Sequence, residues 1–171
     1  MSIYKEKELV FNFNNAEKVE KLDEEGVPLP SNMKLVDFVV EEENRTLLIE
    51  IKDPSHSKTP EEERNKYAKK ILGDELINDE LVPKVRDAYT YLHLMERDSK
   101  PFIYVVVLGL ERYKDEKALL LGGFKERLLK RIRKEAKESW KRKYIKECIV
   151  LTIDGWNALF QNYPVSREIT P

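Results

Sequence analysis

Three polar residues in two neighbouring apolar runs have the types and spacing needed for metal-assisted chemistry. Asp37 lies within the run Leu35–Glu41, and Glu50 and Lys52 lie within the run Thr46–Lys52. Two carboxylates side by side repel each other, and a hard divalent cation relieves that repulsion while keeping waters for a phosphate substrate. A nearby ammonium group could orient the attacking water or neutralise charge that develops on phosphorus. These residue types therefore predict hydrolysis of a phosphodiester with Mg²⁺ or Mn²⁺ as cofactor.

The elements that position the three residues can be inferred from the same segment. The two β-rich runs flank the polar tetrad Glu42–Arg45, which predicts a hairpin with a four-residue loop. In that register Asp37 faces Glu50, and because side chains alternate along a strand, Lys52 shares their face. A loop one residue longer or shorter would break this pairing. The opposite face is expected to be apolar and to consist of Val36, Phe38, Val40, Leu47, Ile49 and Ile51.

A simpler interpretation of the same residues is a solvated hairpin face. In a chain with 37% charged residues, an acidic residue two positions before a lysine arises by chance. Such pairs are Glu50–Lys52, Asp98–Lys100, Asp115–Lys117 and Glu135–Lys137. Only the first lies in an apolar, β-rich run with a second carboxylate projected beside it, which favours a functional site.

The segment MKLVDFVVEEENRTLLIEIKD resembles the signature of the PD-(D/E)XK, restriction-endonuclease-like nucleases. The resemblance covers roughly residues 8–110 in the order of elements, with a detailed motif match over Val36–Asp53; Val36 stands where many members have proline. It implies a core of a helix, a three-strand meander, a crossover helix and a fourth strand. It also implies catalytic roles for Asp37, Glu50 and Lys52, and a metal held by the two carboxylates and the backbone carbonyl of Ile51.

Further site residues follow from the resemblance alone. Many members add a carboxylate from the first helix, for which Glu17 or Glu20 would serve, with Glu20 preferred. Others add polar and tyrosine side chains from the crossover helix, where Lys84, Asp87 and Tyr91 share one helical face and could line the cleft. Ordinary surface and sheet-packing positions are the alternative for these last three.

The rest of the chain predicts an α/β fold with a mixed β-sheet flanked by helices on both faces. The first expected elements are a strand over 8–13, a helix over 14–22 capped by Asn14 or Asn15, a loop over 26–32, and the hairpin. Helices over 60–73 and 79–97 and a buried strand over 102–110 follow. The last elements are a charged helix over 116–143 that Gly122-Gly123 interrupts or loosens, a strand over 147–153, and a short helix capped by Asp154. A length of 171 residues suits a single nuclease-like domain spanning 1–171.

Positive charge is concentrated in one part of the chain. Residues 125–146 contain 11 Lys or Arg and 3 Glu, in a chain whose net charge is −1. Such asymmetry can mark a polyanion-binding face, which would place Lys130, Arg133 and Lys137 against nucleic acid, although a solvated helix is the alternative. Trp140 and Trp156 are expected to pack in the core or between helices rather than to stack on bases.

The expected function is a metal-dependent endonuclease acting on nucleic acid, with DNA favoured over RNA. The alternative is a catalytically silent nuclease-fold subunit for binding or assembly in a larger nucleic-acid-processing or defence system. A homodimer or a partner protein could supply specificity. One cysteine and an N-terminus without an apolar leader indicate a cytoplasmic protein that does not associate with membranes.

Overall fold

The computed structural model describes residues 2–24, 26, 29–30 and 32–171. Its strands are β1 (Ile3–Glu6), β2 (Leu9–Asn12), β3 (Lys18–Lys21), β4 (Phe38–Glu41), β5 (Thr46–Lys52), β6 (Phe102–Leu108), β7 (Glu147–Leu151) and β8 (Val165–Arg167). Its α-helices are α1 (Glu61–Leu72), α2 (Val82–Leu94), α3 (Lys117–Leu121), α4 (Phe124–Arg133) and α5 (Ile153–Leu159). A π-helix (Leu76–Leu81) leads into α2, and a 3₁₀-helix (Glu111–Glu116) leads into α3. The loop expected over 26–32 lies partly outside the described residues.

A five-stranded mixed sheet in the order β3-β4-β5-β6-β7 forms the centre of the fold. The first three strands are an antiparallel meander, and β6 and β7 then add parallel to β5. In the β4–β5 hairpin, Val39 pairs with Leu48 and Glu41 with Thr46, which confirms the predicted register and the four-residue loop. Parallel neighbours need crossover connections, and the helices between β5, β6 and β7 provide them.

The two faces of this sheet are covered by different layers. On one face Val39, Leu48 and Tyr104 pack with residues of the π-helix, α2 and α4. On the other face, side chains of β4 to β6 pack against α5 and a three-stranded sheet in the order β1-β2-β8. Helices therefore lie on both faces of a mixed α/β fold, and a second small sheet joins one of the layers. Val36 is predicted to lie on the same face as Phe38 and Val40, but it packs on the opposite face, with the π-helix, α2 and α4. The reason is that Val36 precedes β4, so the alternation of the strand does not extend to it.

The helix predicted over residues 14–22 is wrong. Residues 18–21 form the edge strand β3, which pairs antiparallel with β4. Asn15 adopts a φ of 63° in the turn before it, a left-handed conformation that asparagine tolerates better than most residues. Pairing with the otherwise open edge of β4 outweighs the local helical pattern.

The helix predicted over 116–143 is interrupted at Gly122-Gly123 as expected, but it does not extend to 143. Gly123, with a φ of 69°, separates α3 from α4, and α4 ends at Arg133. The buried stripe of α4 consists of Phe124, Leu128 and Ile132. The next positions on that stripe, 135, 136 and 139, hold Glu, Ala and Ser. No large apolar side chain could anchor a further turn, so the chain continues without regular structure to β7.

Two smaller expectations also need correction. Trp140 is 47% exposed in the irregular segment after α4, whereas Trp156 is buried as predicted. The cap of α5 is Thr152, whose hydroxyl accepts the Gly155 N–H at 3.1 Å, and not Asp154. In the part of the chain that the structure describes, no helix is long and apolar enough to cross a membrane.

Candidate active site

A polar cleft of about 420 Å³ opens at the carboxyl end of β5, where α1, the π-helix and α2 approach the sheet. Its walls come from six parts of the chain. The lining residues are Glu6, Lys7, Asp23, Asp37, Glu50, Ile51, Lys52, Asp53, Pro54, Thr59, Glu63, Tyr67, Glu80 and Lys84. All three residues of the predicted triad line this one cleft.

Asp37 and Glu50 are held in the cleft by the hairpin. Asp37 lies one residue before β4, so the register of β4 with β5 places it opposite Glu50. The Ile51 N–H donates to Asp37 Oδ2 at 2.7 Å, which fixes the aspartate side chain beside β5. Asp37 is 5% exposed and Glu50 is completely buried, so both carboxyl groups are largely withdrawn from water.

Two ammonium groups face Glu50. Lys84 Nζ lies 2.9 Å and Lys52 Nζ lies 3.1 Å from Glu50 Oε1. Lys52 Nζ also donates to Glu80 Oε1 at 3.0 Å, and Lys84 Nζ lies 3.5 Å from Asp23 Oδ2. Both lysines lower the pKa of Glu50 through charge and hydrogen bonding, but neither contact has well-directed hydrogen-bond geometry at the buried Glu50 oxygens. The carboxylate is thus charge-compensated but poorly solvated.

The electrostatics of the cleft follow from this burial. Burial, reinforced by the neighbouring Glu50, raises the pKa of Asp37 to about 8. Burial likewise raises the pKa of Glu50, and the two lysines oppose the shift. Burial would lower the pKa of Lys84, but Glu50 and Asp37 hold it above its ordinary value. The protein alone therefore stabilises the lysine charges better than the charges of the two carboxylates.

The donor set suits a metal ion that needs few protein ligands. In the described ranges, no group of three or more His, Cys, Asp or Glu side chains is arranged to hold a metal. Mg²⁺, however, is usually bound through one or two carboxylates, with waters and substrate phosphate completing its octahedron. Asp37 and Glu50 supply the carboxylates, and Glu50 Oε2 has no hydrogen-bond partner in the described structure, which is unusual for a buried acceptor. The backbone carbonyl of Ile51 adds an oxygen at the same edge, since N–H and C=O of a strand residue point to the same side. These residues fit Mg²⁺ or Mn²⁺.

The extra carboxylates predicted from a first helix are not in the cleft. Glu20 Oε2 accepts from Arg97 Nη1 at 2.8 Å, and Glu17 Oε2 accepts from Lys100 Nζ at 2.8 Å. Both ion pairs lie near the amino end of β5, because residues 18–21 are a strand that runs along β4. Asp23 and Glu6 are the acidic residues that the amino-terminal part contributes instead.

The three residues proposed on the crossover helix separate along α2. Lys84, in the first turn, lines the cleft, whereas Asp87 and Tyr91 are not among its lining residues. Asp87 Oδ2 accepts the Lys34 N–H at 3.0 Å, and Tyr91 packs half-buried against the core. An α-helix rises 1.5 Å per residue, so residues on the same helical face lie progressively farther from a cleft at the start of the helix.

Sequence reasoning missed Glu80 and Tyr67. Glu80 lies four residues before Lys84, a spacing that places two side chains on one helical face and could have indicated it. Tyr67 comes from α1, and no spacing links it to the triad. Its buried hydroxyl has no hydrogen-bond partner within the described residues, so the cleft holds a second unsatisfied polar group.

The predicted basic residues divide between two surroundings. Lys130 lines a groove of about 490 Å³ together with Arg127, Arg131 and Lys134. Arg133 and Lys137 are exposed but do not line that groove.

Comparisons of the chain with models of protein families, with curated proteins and with solved structures found no match. The residues of the cleft are therefore the basis for inferring a function.

Proposed function

We propose that this protein is a metal-dependent nuclease with a restriction-endonuclease-like fold that hydrolyses phosphodiester bonds of nucleic acid, DNA in preference to RNA. The observation that carries the proposal is the pair of buried carboxylates, Asp37 and Glu50, in an open cleft with the Lys52 ammonium 3.1 Å from Glu50. The proposal includes a cytoplasmic location and a second copy or partner protein that adds specificity.

The order of elements supports the proposed fold in part. A three-strand meander (β3 to β5), a helical crossover and a parallel strand (β6) follow one another as the family resemblance implies. The helix expected before the meander does not occur in the described residues, where the β1–β2 hairpin stands instead. The three motif residues line one cleft at the carboxyl end of β5, which supports the proposed chemistry.

Five of the cleft residues have roles in the proposed reaction. Asp37, Glu50 and the Ile51 carbonyl would hold the metal, which when bound polarises the phosphodiester and lowers the pKa of a coordinated water. Lys52, held by Glu50 and Glu80, is positioned to orient the attacking water or to stabilise charge on the phosphorus. Lys84 adds a positive charge that attracts the phosphate into a cleft whose charged lining residues are mainly acidic.

Cleavage of nucleic acid by the purified protein tests the proposal. We expect Mg²⁺- or Mn²⁺-dependent cleavage that EDTA abolishes. Lys52→Ala should lose at least about a hundredfold in rate, in the range seen when a donor to the transition state is removed. Lys66→Ala is the matched control, because Lys66 lies on α1 and forms only exposed ion pairs within that helix. Cleavage that persists unchanged in Lys52→Ala would contradict the assignment.

A specific observation also favours the second candidate, a silent binding or assembly subunit. Lys52 and Lys84 already compensate the charge of Glu50, as internal counter-ions would in a site that no longer binds metal. Calorimetric titration with Mn²⁺ distinguishes the two candidates. A nuclease binds the ion at the cleft, whereas a silent subunit gives no binding heat and binds nucleic acid without metal.

A further inference from the structure

The segment that follows α4 is cationic, exposed and irregular. Residues 134–146 contain six Lys or Arg and two Glu, and the backbone leaves the helical conformation at Lys134 with φ −144° and ψ 96°. From 134 to 143 every residue except Glu135 is exposed. We refer to residues 134–146 as the basic segment.

The last turn of α4 and the start of the basic segment line a groove in which three of the four cations lack a counter-ion among the described residues. Lys130, Arg131 and Lys134 converge there, and none of the three forms an ion pair in the described structure. The fourth cation, Arg127, is already held by Asp74 at 2.8 Å. Three cations without ion pairs in one groove leave a local excess of positive charge, which suits an anionic ligand.

Trp140 is presented to solvent at the middle of the basic segment. Its side chain is 47% exposed, although a tryptophan of a chain with two such extensive cores would normally be buried. Its backbone N–H donates to the Arg133 carbonyl at 2.8 Å, and its indole N–H donates to Glu135 Oε2 at 3.3 Å. The first bond fixes the backbone and the second orients the ring, while about half of the residue's surface stays exposed.

The basic segment is tied to the helix that serves the cleft. Glu135 accepts a hydrogen bond from Arg86 of α2, two residues beyond Lys84. The π-helix makes a second connection, since Ile77 and Asn78 line the groove and Glu80 lines the cleft. The groove and the cleft thus both border the π-helix. A flexible nucleic-acid strand could extend from one to the other.

We infer that Trp140 and the groove lined by Lys130, Arg131 and Lys134 bind single-stranded nucleic acid, with an unpaired base stacked on the indole and backbone phosphates in the groove. This inference rests on the proposed function and names the form of its substrate. A stacking platform flanked by cations is the usual arrangement for single strands, because every base offers a flat face. Within a duplex, the neighbouring base pairs cover both faces of each base pair, so it cannot stack on the indole ring.

Binding in EDTA tests the inference separately from cleavage. The probe is a labelled 20-nucleotide single strand of mixed sequence, compared with the blunt duplex of the same sequence, and affinity is measured by fluorescence anisotropy. The single strand should bind more tightly than the duplex and should quench the emission of Trp140. Trp140→Ala should weaken single-strand binding by about fivefold to a hundredfold and leave duplex binding unchanged, whereas Trp140→Phe should retain most of the affinity.

The groove is tested by the triple variant K130A/R131A/K134A. It should weaken binding and reduce the slope of affinity against salt, because fewer counterions are released. Lys18→Ala is the control, because Lys18 is exposed on β3. This variant should bind the single strand as tightly as wild type does. Equal affinity of wild type and Trp140→Ala, or tighter binding of the duplex, would overturn the inference even if the protein cleaves DNA. Tight single-strand binding through Trp140 without any cleavage would support this inference and contradict the proposed nuclease activity.

Discussion

Two buried acidic regions near the carboxyl end of β5 are built in opposite ways. Around Glu8, the carboxylate accepts the Ser57 N–H at 3.0 Å and an Arg167 N–H at 2.9 Å. Arg167 also donates two hydrogen bonds of 2.8 Å to Asp53, the next residue after Lys52. In the cleft, Asp37 receives one backbone N–H, and Glu50 receives ion pairs without directed hydrogen bonds.

The pKa values of the two regions differ for this reason. Burial raises the pKa of Glu8, but hydrogen bonds from Ser57 and Arg167 outweigh burial and lower it to about 2. Asp37 has no comparable set of donors, and its pKa rises to about 8. Charge-assisted and bidentate hydrogen bonds satisfy an acid that serves the fold. An acid left short of donors in an open cleft is suited to receive a cation.

Removing Arg167 should have the largest effect on stability. Arg167→Ala leaves Glu8 and Asp53 buried without their cation, and breaking a buried pair from one side costs about 3–5 kcal/mol. Chemical denaturation measures the loss. The exposed pair of Lys5 with Glu168 is the control, and Lys5→Ala should cost less than about 1 kcal/mol. If Arg167→Ala lost no more unfolding free energy than the control, the Glu8 region would not be the more strongly stabilised of the two.

The two regions should respond to pH with opposite signs. The folded pKa of Glu8 lies below its ordinary 4.5, so its contribution to stability is present above pH 4.5 and is lost as pH falls towards about 2. The folded pKa of Asp37 lies above its ordinary 3.8, so in metal-free protein its contribution is complete below pH 3.8 and is lost as pH rises through about 8. Each slope is at most about 1.4 kcal/mol per pH unit for one proton.

Single variants separate these two pH dependences. In EDTA, Glu8→Gln should flatten the acid side of a plot of unfolding free energy against pH, and Asp37→Asn should flatten the side from pH 4 to 8. Urea titrations at a series of pH values give the curve. If Asp37→Asn left the neutral side as steep as wild type, the aspartate would not be the group that titrates there.

Asp37→Asn should cost the metal-free fold no stability at neutral pH. With a pKa of about 8 the aspartate is largely protonated there, so the neutral amide should leave stability unchanged or raise it by removing the proton uptake that folding otherwise requires. Glu8→Gln is the counterpart and should destabilise, because it removes a charged partner of Arg167. A large drop in melting temperature for Asp37→Asn would identify the aspartate as a structural residue.

The hairpin and its triad could be predicted because every step was local. Alternation over two short runs and a four-residue loop fix which residues face each other, and the structure has that register. Strand β3 could not be found in the same way, because its helix-like pattern is overridden by pairing with β4, and the carboxylates Glu17 and Glu20 were misplaced with it. The end of α4 at Arg133 was predictable in principle, since the apolar stripe stops at Ile132.

If Asp37 and Glu50 form a cation site, calorimetric titration with Mn²⁺ will detect the bound ion. Wild-type protein should bind one ion, more tightly as pH rises towards 8, since binding releases a proton from the carboxyl pair. Asp37→Asn and Glu50→Gln should each lose the binding heat, and Glu8→Gln should retain it. The absence of binding to wild type at pH 8, or equal binding to the cleft variants, would contradict the account.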